Sequence, residues 1–287
     1  MSGTSPVAAD LAGVADLVRA RGGRLGEPIH LLAETGSTND DARAGARAGA
    51  PHGAVWIAES QTRGRGRQGR AWVSAPGESL LFSVLLRIPC APSRVPPLSL
   101  VCGLAVRDAV ARALGERDGE RALVKWPNDV VVRDRAGGGW RKVAGVLVES
   151  ALAGAKVEHV IVGIGVNVHT RDFPDDLAAI ATSVAREASG PPHRAELLAD
   201  ILDALGRDVE QVAHRGLGVV HARLSAHDAL SGRAVEGVDG DLTGTACGIA
   251  PDGRLLVRRP DGVVTKVASG EVRVRAGSVV DVLGSGS

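Results

Sequence analysis

Four apolar segments follow one another between residues 122 and 168 with only short connections: ALVKW, DVVVR, VAGVLVES and HVIVGIGVNV. Each is predicted to be a β-strand, because it is short, rich in β-branched residues and bounded by turn-forming residues. Parallel neighbours in a sheet need long crossover connections, whereas antiparallel neighbours need only a tight turn. The connections here, such as AGGGW at 136–140, are short. The chain is therefore predicted to form a largely antiparallel sheet.

The rest of the first three quarters of the chain adds further strands and several helices. Strand patterns occur in PIHLLAE, in AVWIAES at 54–60 and in SLLFSVLLRI at 79–88. Apolar residues at helical spacing predict helices at 9–20, at 98–114 and at about 193–222. Another helix is expected to start near Ser37 or Thr38, which can cap it, and to stop before Pro51. We therefore expect an α+β fold, in which a mixed, largely antiparallel sheet carries helices on one face.

The character of the sequence changes after about residue 224. From there, short β segments are separated by Gly and Asp turns, including the pairs Asp252-Gly253 and Asp261-Gly262. This pattern predicts a small C-terminal β-barrel or meander as a separate domain. The expected organisation is a short N-terminal helical extension at 1–28, a main domain at 29–223 and a β domain at 224–287.

Composition limits the kinds of partner that we expect. Lys and Arg total 34 against 33 Asp and Glu, and aromatic residues make up 2% with no Tyr, so a surface dedicated to nucleic acid is not expected. The three cysteines show neither a disulfide framework nor metal-ligand spacing, which favours a reducing cytoplasm. No secretory signal and no apolar run long enough to cross a membrane is present, so no membrane partner is expected.

The most distinctive polar segment is RGRGRQGR at 63–70, between two predicted strands. Its glycines allow successive backbone N–H groups to point into one concavity, and its arginines carry planar cationic groups suited to phosphate or carboxylate. Four neighbouring guanidinium groups repel one another, which predicts a loop that is mobile when empty and closes over an anion. A solvated surface loop and an RNA-contacting segment remain open alternatives from the pattern alone.

Other polar residues interrupt the apolar strands. Lys125, Asn128 and Asp129 surround Pro127 in VKWPNDVVV, where they either organise a ligand or form a turn that caps a hairpin. Lys142 stands at the entrance of a strand, where it is either functional or simply solvated. Asn167 ends GIGVN, whose glycines permit close approach by another group or mark a bulge. None of the common motifs for a nucleophilic residue, a zinc site or a phosphate-binding loop is present.

The segments STND, ESQTRGRGRQGRAW, VKWPNDV, RKVAGVLVE and GIGVNV, in this order, together resemble the biotin protein ligases over about residues 30–170. The C-terminal module also resembles the small SH3-like domain of that family, which typically ends in SGEVRVR. The resemblance implies a two-step reaction. Biotin and ATP with Mg²⁺ would give biotinyl-5′-AMP, and a lysine of a biotin carboxyl carrier protein domain, part of an acyl-CoA carboxylase, would then accept the biotinyl group.

The resemblance also implies roles for individual residues. The expected biotin contacts are Ser37, Thr38, Asn39, Gln61, Arg65, Gly66, Arg67 and Lys142. The expected contacts with ATP or the adenylate are Arg70, Trp72, Lys125, Asn128, Asp129 and Asn167. Among these residues, Trp72 would pack on adenine, Asn167 would read the base, and Lys142 and Arg67 would be catalytic. Lys125, Asn128 and Asp129 would organise phosphate and metal, although the metal ligands themselves are not identified.

Two departures from the family pattern lie in the loop, where Gln68 replaces a frequent arginine and Ala71 precedes Trp72. A lipoate-protein ligase is the alternative enzyme, but its usual Arg-Arg/Gly-Gly-Gly loop is absent. An Arg/Gly-loop nucleic-acid-binding module is the alternative from another class. Some members of the family carry an N-terminal DNA-binding domain, and we expect none in the 28 residues before the first strand, hence no repressor role. Monomer and homodimer both remain open.

Overall fold

The computed structural model describes residues 9–238, 242–268, 270 and 272–274, and these residues form two β-sheets and seven α-helices. The strands of the first sheet are β1 (Ile29–Thr35), β2 (Val55–Gln61), β3 (Ser79–Leu86), β4 (Ala122–Lys125), β5 (Asp129–Arg133), β6 (Trp140–Ala153) and β7 (Lys156–Asn167). Their order is β1-β2-β3-β7-β6-β5-β4. The β1–β2 pair is parallel and the other pairs are antiparallel, as the short connections predicted.

The helices are α1 (Val14–Ala20), α2 (Thr38–Arg47), α3 (Leu98–Leu114), α4 (Asp175–Ala178), α5 (Val184–Glu187), α6 (Arg194–Arg215) and α7 (His221–Ala226). α3 and α6 pack together beneath one face of the sheet, and α3 is buried along most of its length. α2 packs against β2, β3 and β7 through small residues such as Ala42 and Ala46. It contacts Trp56, Leu85 and Ile161, which form a second apolar cluster.

The expectation of helices on one face only was therefore wrong, because α2 covers the opposite face. The cause lies in the strands themselves. β3 is buried at every position, so both of its faces need a cover. Phe82 belongs to the main core with α3 and α6, whereas Leu85 belongs to the cluster under α2. The N-terminus of α2 lies on this second face of the sheet.

The second sheet contains β8 (Ala234–Gly237), β9 (Thr243–Ile249), β10 (Leu255–Arg258), β11 (Val264–Val267) and β12 (Val272–Val274), in the order β11-β10-β9-β8-β12. The described pairs are antiparallel. Gly253 and Gly262 both have φ of 84°, which glycine adopts without strain. The α+β class with a small all-β C-terminal module is confirmed. The family-like ending SGEVRVR lies partly outside the described residues.

The C-terminal sheet contacts the first part of the chain directly. Trp126 Nε1 donates to the carbonyl oxygen of Gly253 at 3.0 Å, and a ring nitrogen of His221 lies 2.6 Å from the carbonyl oxygen of Ile249. α7 spans the residues at which we placed the boundary between the main and β domains, and that boundary stays a prediction. Within the part of the chain that the structure describes, no helix is long and apolar enough to cross a membrane.

A buried ion cluster fixes the two strand ends that flank the Arg/Gly loop. Arg194, at the start of α6, is 1% exposed. Its guanidinium donates to Glu59 Oε2 of β2 at 2.7 Å and to the carbonyl oxygen of Ser79, the first residue of β3, at 3.2 Å. It also donates to both oxygens of Asp10 at 2.8 and 2.6 Å. These hydrogen bonds lower the pKa of Asp10 to about 2. The N-terminal segment thus helps to hold the base of the loop.

Candidate active site

The N-terminus of α2 presents three buried polar residues, Ser37, Thr38 and Asn39, toward the sheet. Ser37 occupies the N-cap position, but its side chain makes no capping hydrogen bond. Gln61 Oε1, at the end of β2, accepts from Thr38 N at 2.8 Å and from Thr38 Oγ1 at 3.1 Å. Four residues that the sequence predicted to bind biotin therefore lie together.

Ser83, in the middle of β3, completes this polar pocket. Its Oγ donates to Asn39 Oδ1 at 2.6 Å and lies 2.8 Å from Thr38 Oγ1. The amide nitrogen of Asn39 donates to Glu149 Oε2 of β6 at 2.6 Å. Both of these hydrogen-bond partners of Asn39, the donor Ser83 and the acceptor Glu149, are residues that the sequence analysis did not single out. The available signal was Ser83, the one polar residue within the apolar run LLFSVLL at 80–86.

Glycines on β6 and β7 leave room beside this pocket. Gly163 pairs with Ser83, and Gly145 pairs with Gly165. A Cβ on Gly165 would lie 2.6 Å from Cε2 of Trp72, so the indole rests directly on the strand backbone. Trp72 Nε1 is enclosed and has no hydrogen-bond acceptor among the described residues. The glycines of GIGVN therefore serve close approach, and β7 runs through them as one strand without the bulge that was the alternative.

The Arg/Gly segment folds back on itself as a short hairpin. Trp72 N donates to the Gly64 carbonyl at 2.9 Å, and Gly66 N donates to the Arg70 carbonyl at 2.7 Å. A Cβ on Gly64 would lie 2.7 Å from the Trp72 carbonyl oxygen, so this turn requires glycine there. The hairpin begins at the end of β2, next to Gln61, and thus adjoins the polar pocket. We call residues 63–72 the lid. Its mobility in the absence of an anion stays a prediction.

One lid arginine is held by a carboxylate of α2. Arg65 Nη1 and Nη2 donate to the two oxygens of Asp40 at 2.8 and 2.7 Å, a bidentate ion pair. The hydrogen bonds from Arg65 lower the pKa of Asp40 to about 2, and the same hydrogen bonds raise the pKa of Arg65. This pairing offsets part of the repulsion among the lid arginines.

The side chain of Lys142, on β6, lies next to the lid residue Trp72. Its Nζ lies 2.7 Å from Asp129 Oδ1 and 5.6 Å from the centre of the Trp72 ring, a cation–π contact. Asn128 Nδ2 donates to the Val146 carbonyl at 2.7 Å, which fixes the β4–β5 turn against β6. Arg67 Nη1 of the lid lies 3.5 Å from Asn128 Oδ1. The structure therefore brings Lys142, Asp129, Asn128 and Arg67 together, and Lys142 also contacts Trp72.

The remaining candidates lie at the margin of this arrangement. Asn167 ends β7 and donates to the Thr182 carbonyl at 3.1 Å, while Thr182 N donates to the Lys142 carbonyl at 2.8 Å. Arg70 is exposed in the lid, and Lys125 is half-buried at the end of β4. The side chain of Asn167 thus orients the segment beside Lys142, and its expected contact with a base stays a prediction.

The site can accept a ligand that is neutral and polar at one end and anionic at the other. Hydroxyl and amide groups converge at the start of α2, a glycine backbone on which Asn39 and Trp72 pack lies in the middle, and Lys142 with the lid arginines lies beyond. Asp129 and Asp40 now neutralise two of the cations. An incoming carboxylate or phosphate would compete with these two carboxylates for Arg65 and Lys142.

Comparison with known proteins shows which family has this architecture. Residues 37–167 match the Biotin/lipoate A/B protein ligase family model, and residues 230–275 match the model of the Biotin protein ligase C terminal domain. The "Bifunctional ligase/repressor BirA" of Bacillus subtilis is 30% identical over 83% of this chain and 71% of its own length. The "Biotin--[acetyl-CoA-carboxylase] ligase" of Paracoccus denitrificans is 34% identical over 81% of this chain and 95% of its own length.

Solved structures agree with the sequence comparison. The "Biotin protein ligase from Aquifex aeolicus in complex with biotin and ATP" superimposes with a TM-score of 0.71 and 28% sequence identity, covering 87% of this chain and 99% of the other. The fold, both domain models and relatives matched over most of their length lead to the same assignment. This chain belongs to the biotin protein ligase family and is a biotin ligase.

Proposed function

We propose that the chain attaches biotin to a lysine of a biotin carboxyl carrier domain through a biotinyl-5′-AMP intermediate. The observation that carries the proposal is the contiguity of the α2 pocket, the glycine backbone of β6 and β7, and the cationic lid with Lys142. The names of relatives that ligate biotin to acetyl-CoA carboxylase support a carboxylase carrier as the acceptor.

The α2 pocket fits the ureido group of biotin. That group has one carbonyl acceptor and two N–H donors, and hydroxyl and amide side chains supply both complements. Ser37, Thr38, Asn39 and Gln61 are the proposed contacts, with Ser83 holding two of them in place. The fused rings would lie against the strand backbone at Gly165, once the Trp72 indole that packs there has moved aside for the ligand. The valeric chain would then direct the carboxylate toward Lys142.

In the first step, an oxygen of the biotin carboxylate attacks the α-phosphorus of ATP. A new O–P bond forms, the bond from Pα to the bridging oxygen breaks, and pyrophosphate leaves. We assign Lys142 to the reacting carboxylate and α-phosphate, where a fixed cation stabilises the charge that develops. Arg65, Gly66, Arg67 and Arg70 would close over the anions, and Trp72 and Asn167 would face the adenine. The lid would exclude water from the hydrolysable anhydride.

In the second step, the ε-amine of the acceptor lysine attacks the acyl carbon. The new C–N bond forms, the nitrogen loses a proton, and the C–O bond to AMP breaks. The acceptor lysine must reach this carbon, so the lid must admit it while still retaining the adenylate. The chain's contribution to this step is to hold the acyl phosphate in position and to stabilise the departing AMP through its lid arginines.

Mg²⁺ fits this site as a partner of the nucleotide. Among the described residues, no three His, Cys, Asp or Glu side chains are placed to hold a metal together. Mg²⁺ at a triphosphate takes most of its ligands from phosphate and water and needs only one or two protein carboxylates. Asp129, beside Asn128 and Lys125 at the β4–β5 turn, is the residue that we propose to hold it. The ion would supply charge neutralisation on the triphosphate.

The test is mass spectrometry of a biotin carrier domain after incubation with the protein, ATP, Mg²⁺ and biotin. We expect the acceptor to gain one biotinyl group, and we expect pyrophosphate release to require biotin. Release with lipoate but not with biotin would instead identify a lipoate ligase, which the family model also includes. Salt-sensitive oligonucleotide binding without ATP turnover would favour a nucleic-acid-binding module.

A further inference from the structure

A chain of alternating charges runs along the surface of α2. Arg43 Nη1 donates to Asp40 Oδ1 at 2.6 Å, and Arg43 Nη2 lies 3.0 Å from Glu149 Oε1 on β6. We call Asp40, Arg43 and Glu149 the α2 charge network. A helical i,i+3 pair such as Asp40–Arg43 is ordinary by itself. Here, however, each carboxylate also binds a group of the candidate site.

One end of the α2 charge network lies at the lid and the other lies in the polar pocket. Asp40 holds Arg65 of the lid through both carboxylate oxygens. Glu149 Oε2 accepts from the Asn39 amide at 2.6 Å, and Asn39 Oδ1 accepts from Ser83 at 2.6 Å. Glu149 thereby fixes which end of the Asn39 amide faces Ser83. The network thus connects the lid to the pocket through direct contacts between side chains.

Displacement of Arg65 at the lid end would change the strength of the ion pairs at the pocket end. If Arg65 leaves, Arg43 becomes the principal cation on Asp40, and its share in Glu149 weakens. Glu149 then holds Asn39 with less support from Arg43. The bidentate geometry and the network make these pairs more than isolated surface contacts, which are worth little. Thermodynamic linkage makes this coupling reciprocal. If lid closure changes the affinity of the Asn39 pocket for its ligand by some factor, ligand binding in the pocket changes the equilibrium for lid closure by the same factor.

We propose that Asp40, Arg43 and Glu149 are positioning residues that couple closure of the lid to occupancy of the Asn39 pocket. The proposal rests on the proposed function, because it takes biotin as the occupant of that pocket. None of the three residues needs to touch the reacting atoms. Their effect is on how firmly the lid is held without ligand, and on how strongly biotin alone protects it.

The experiment is limited trypsin digestion of the lid in the full-length protein, with and without biotin. Asp40→Asn is the main variant, and Asp41→Asn is its matched control. Asp41 lies in the same turn of α2, and its carboxylate accepts from Thr35 Oγ1 at 2.7 Å instead of from a lid arginine. Both substitutions remove one negative charge near the helix N-terminus. Only Asp40→Asn should raise lid cleavage in the absence of ligand, by at least about threefold.

Arg43→Met and Glu149→Gln test the middle of the network. Both leave the Arg65–Asp40 ion pair in place, and the amide introduced by Glu149→Gln keeps an oxygen that can accept from Asn39. We expect biotin to protect the lid at least about threefold less in each variant, with the cleavage rate of the empty lid changed less than in Asp40→Asn. Asp40→Glu keeps the negative charge that Asp40→Asn removes, so its lid should regain part of the protection from trypsin that Asp40→Asn loses.

Equal cleavage of Asp40→Asn and Asp41→Asn would overturn the proposed hold on Arg65. Unchanged biotin protection in Arg43→Met and Glu149→Gln would overturn the coupling. A failure of the proposed function has a different signature, because the unaltered protein would then show no biotin-dependent protection and no biotin-dependent pyrophosphate release. The comparison of the empty lids would still decide the role of Asp40 in that case.

Discussion

Asn39 lies so close to the backbone of Gly163 that a Cβ on that glycine would stand 2.2 Å from the Asn39 side-chain oxygen. The helix that carries Asn39 can approach the sheet at this point only because β7 has no side chain there. The same oxygen accepts from Ser83, which pairs with Gly163 in the adjacent strand. The absence of a side chain at Gly163 therefore permits both the close packing of α2 on the sheet and the formation of the polar pocket.

Gly163→Ala is expected to displace Asn39 and weaken biotin binding by about tenfold or more, since overpacking of this kind costs about 1–3 kcal/mol. The measurement is the KM for biotin in pyrophosphate release, with circular dichroism to establish that the fold is kept. Gly103→Ala is the control, because its Cβ would meet Val124 at 3.5 Å, an ordinary contact. Equal effects of the two substitutions would contradict the proposed pocket.

Lys142→Gln is expected to reduce biotin-dependent pyrophosphate release by about a hundredfold or more, because the first step loses the cation nearest the reacting groups. Asp129 would also lose its partner at 2.7 Å. The control is Lys156→Gln at the exposed start of β7, which should leave the rate unchanged. If Lys142→Gln retained full activity, the assignment of this lysine to the reacting carboxylate would be wrong.

Arg67→Ala is expected to leave the fold intact but to let the adenylate escape. The lid would then shield the anhydride less well, so free biotin and AMP should accumulate faster than carrier is modified. The ratio of released adenylate products to biotinylated carrier measures this leak. Arg47→Ala, at the exposed end of α2, serves as the control and should keep the ratio low. An unfolded Arg67→Ala protein would indicate that the lid is structural.

Arg194→Met is expected to lower the free energy of unfolding by about 3–5 kcal/mol, because it leaves Asp10 and Glu59 without their shared cation. Chemical denaturation measures the difference. Arg207→Met is the matched control in the same helix, since Arg207 is exposed and its described ion pair is with Asp203. It should cost less than about 1 kcal/mol. Similar losses in both variants would contradict the structural role of the buried cluster.

The stability of the Asp228→Asn variant, measured relative to the unaltered protein, is expected to increase as the pH rises. Burial raises the pKa of the Asp228 carboxyl from 3.8 to about 6, despite backbone hydrogen bonds that favour the ionised form. The folded state therefore binds this proton more tightly than the unfolded state does. Its contribution to stability is present below about pH 4 and is lost as the pH rises through about 6, by at most about 3 kcal/mol.

The measurement is the difference in Tm between Asp228→Asn and the unaltered protein across about pH 4 to 7, which cancels the other titrating groups. Asp261→Asn is the control. Asp261 is exposed, and its Oδ1 accepts from Val263 N as Asp228 Oδ1 accepts from Leu230 N. A difference that does not grow with pH for Asp228→Asn would show that its carboxyl is not buried in solution.

Local pattern predicted the elements of this chain well. The apolar run of β3 and the turn pair Asp252-Gly253 both have signals within a few residues, and both occur where expected. The Arg/Gly segment was correctly placed between two strands, because its flanks are apolar and its glycines favour a turn. The face that α2 covers could not be predicted, since β3 is apolar on both sides and gives no preference.

The sequence alone determined the strand pattern, the fold class and the family, because these depend on residue types and spacings that are read locally. Only the tertiary structure decided that Glu149 would hold Asn39, that Asp40 would hold Arg65, and that Ser83 would complete the pocket. Glu149 and Asn39 are 110 residues apart. Their meeting depends on strand register and on the docking of α2, which are set by the packing of the whole sheet.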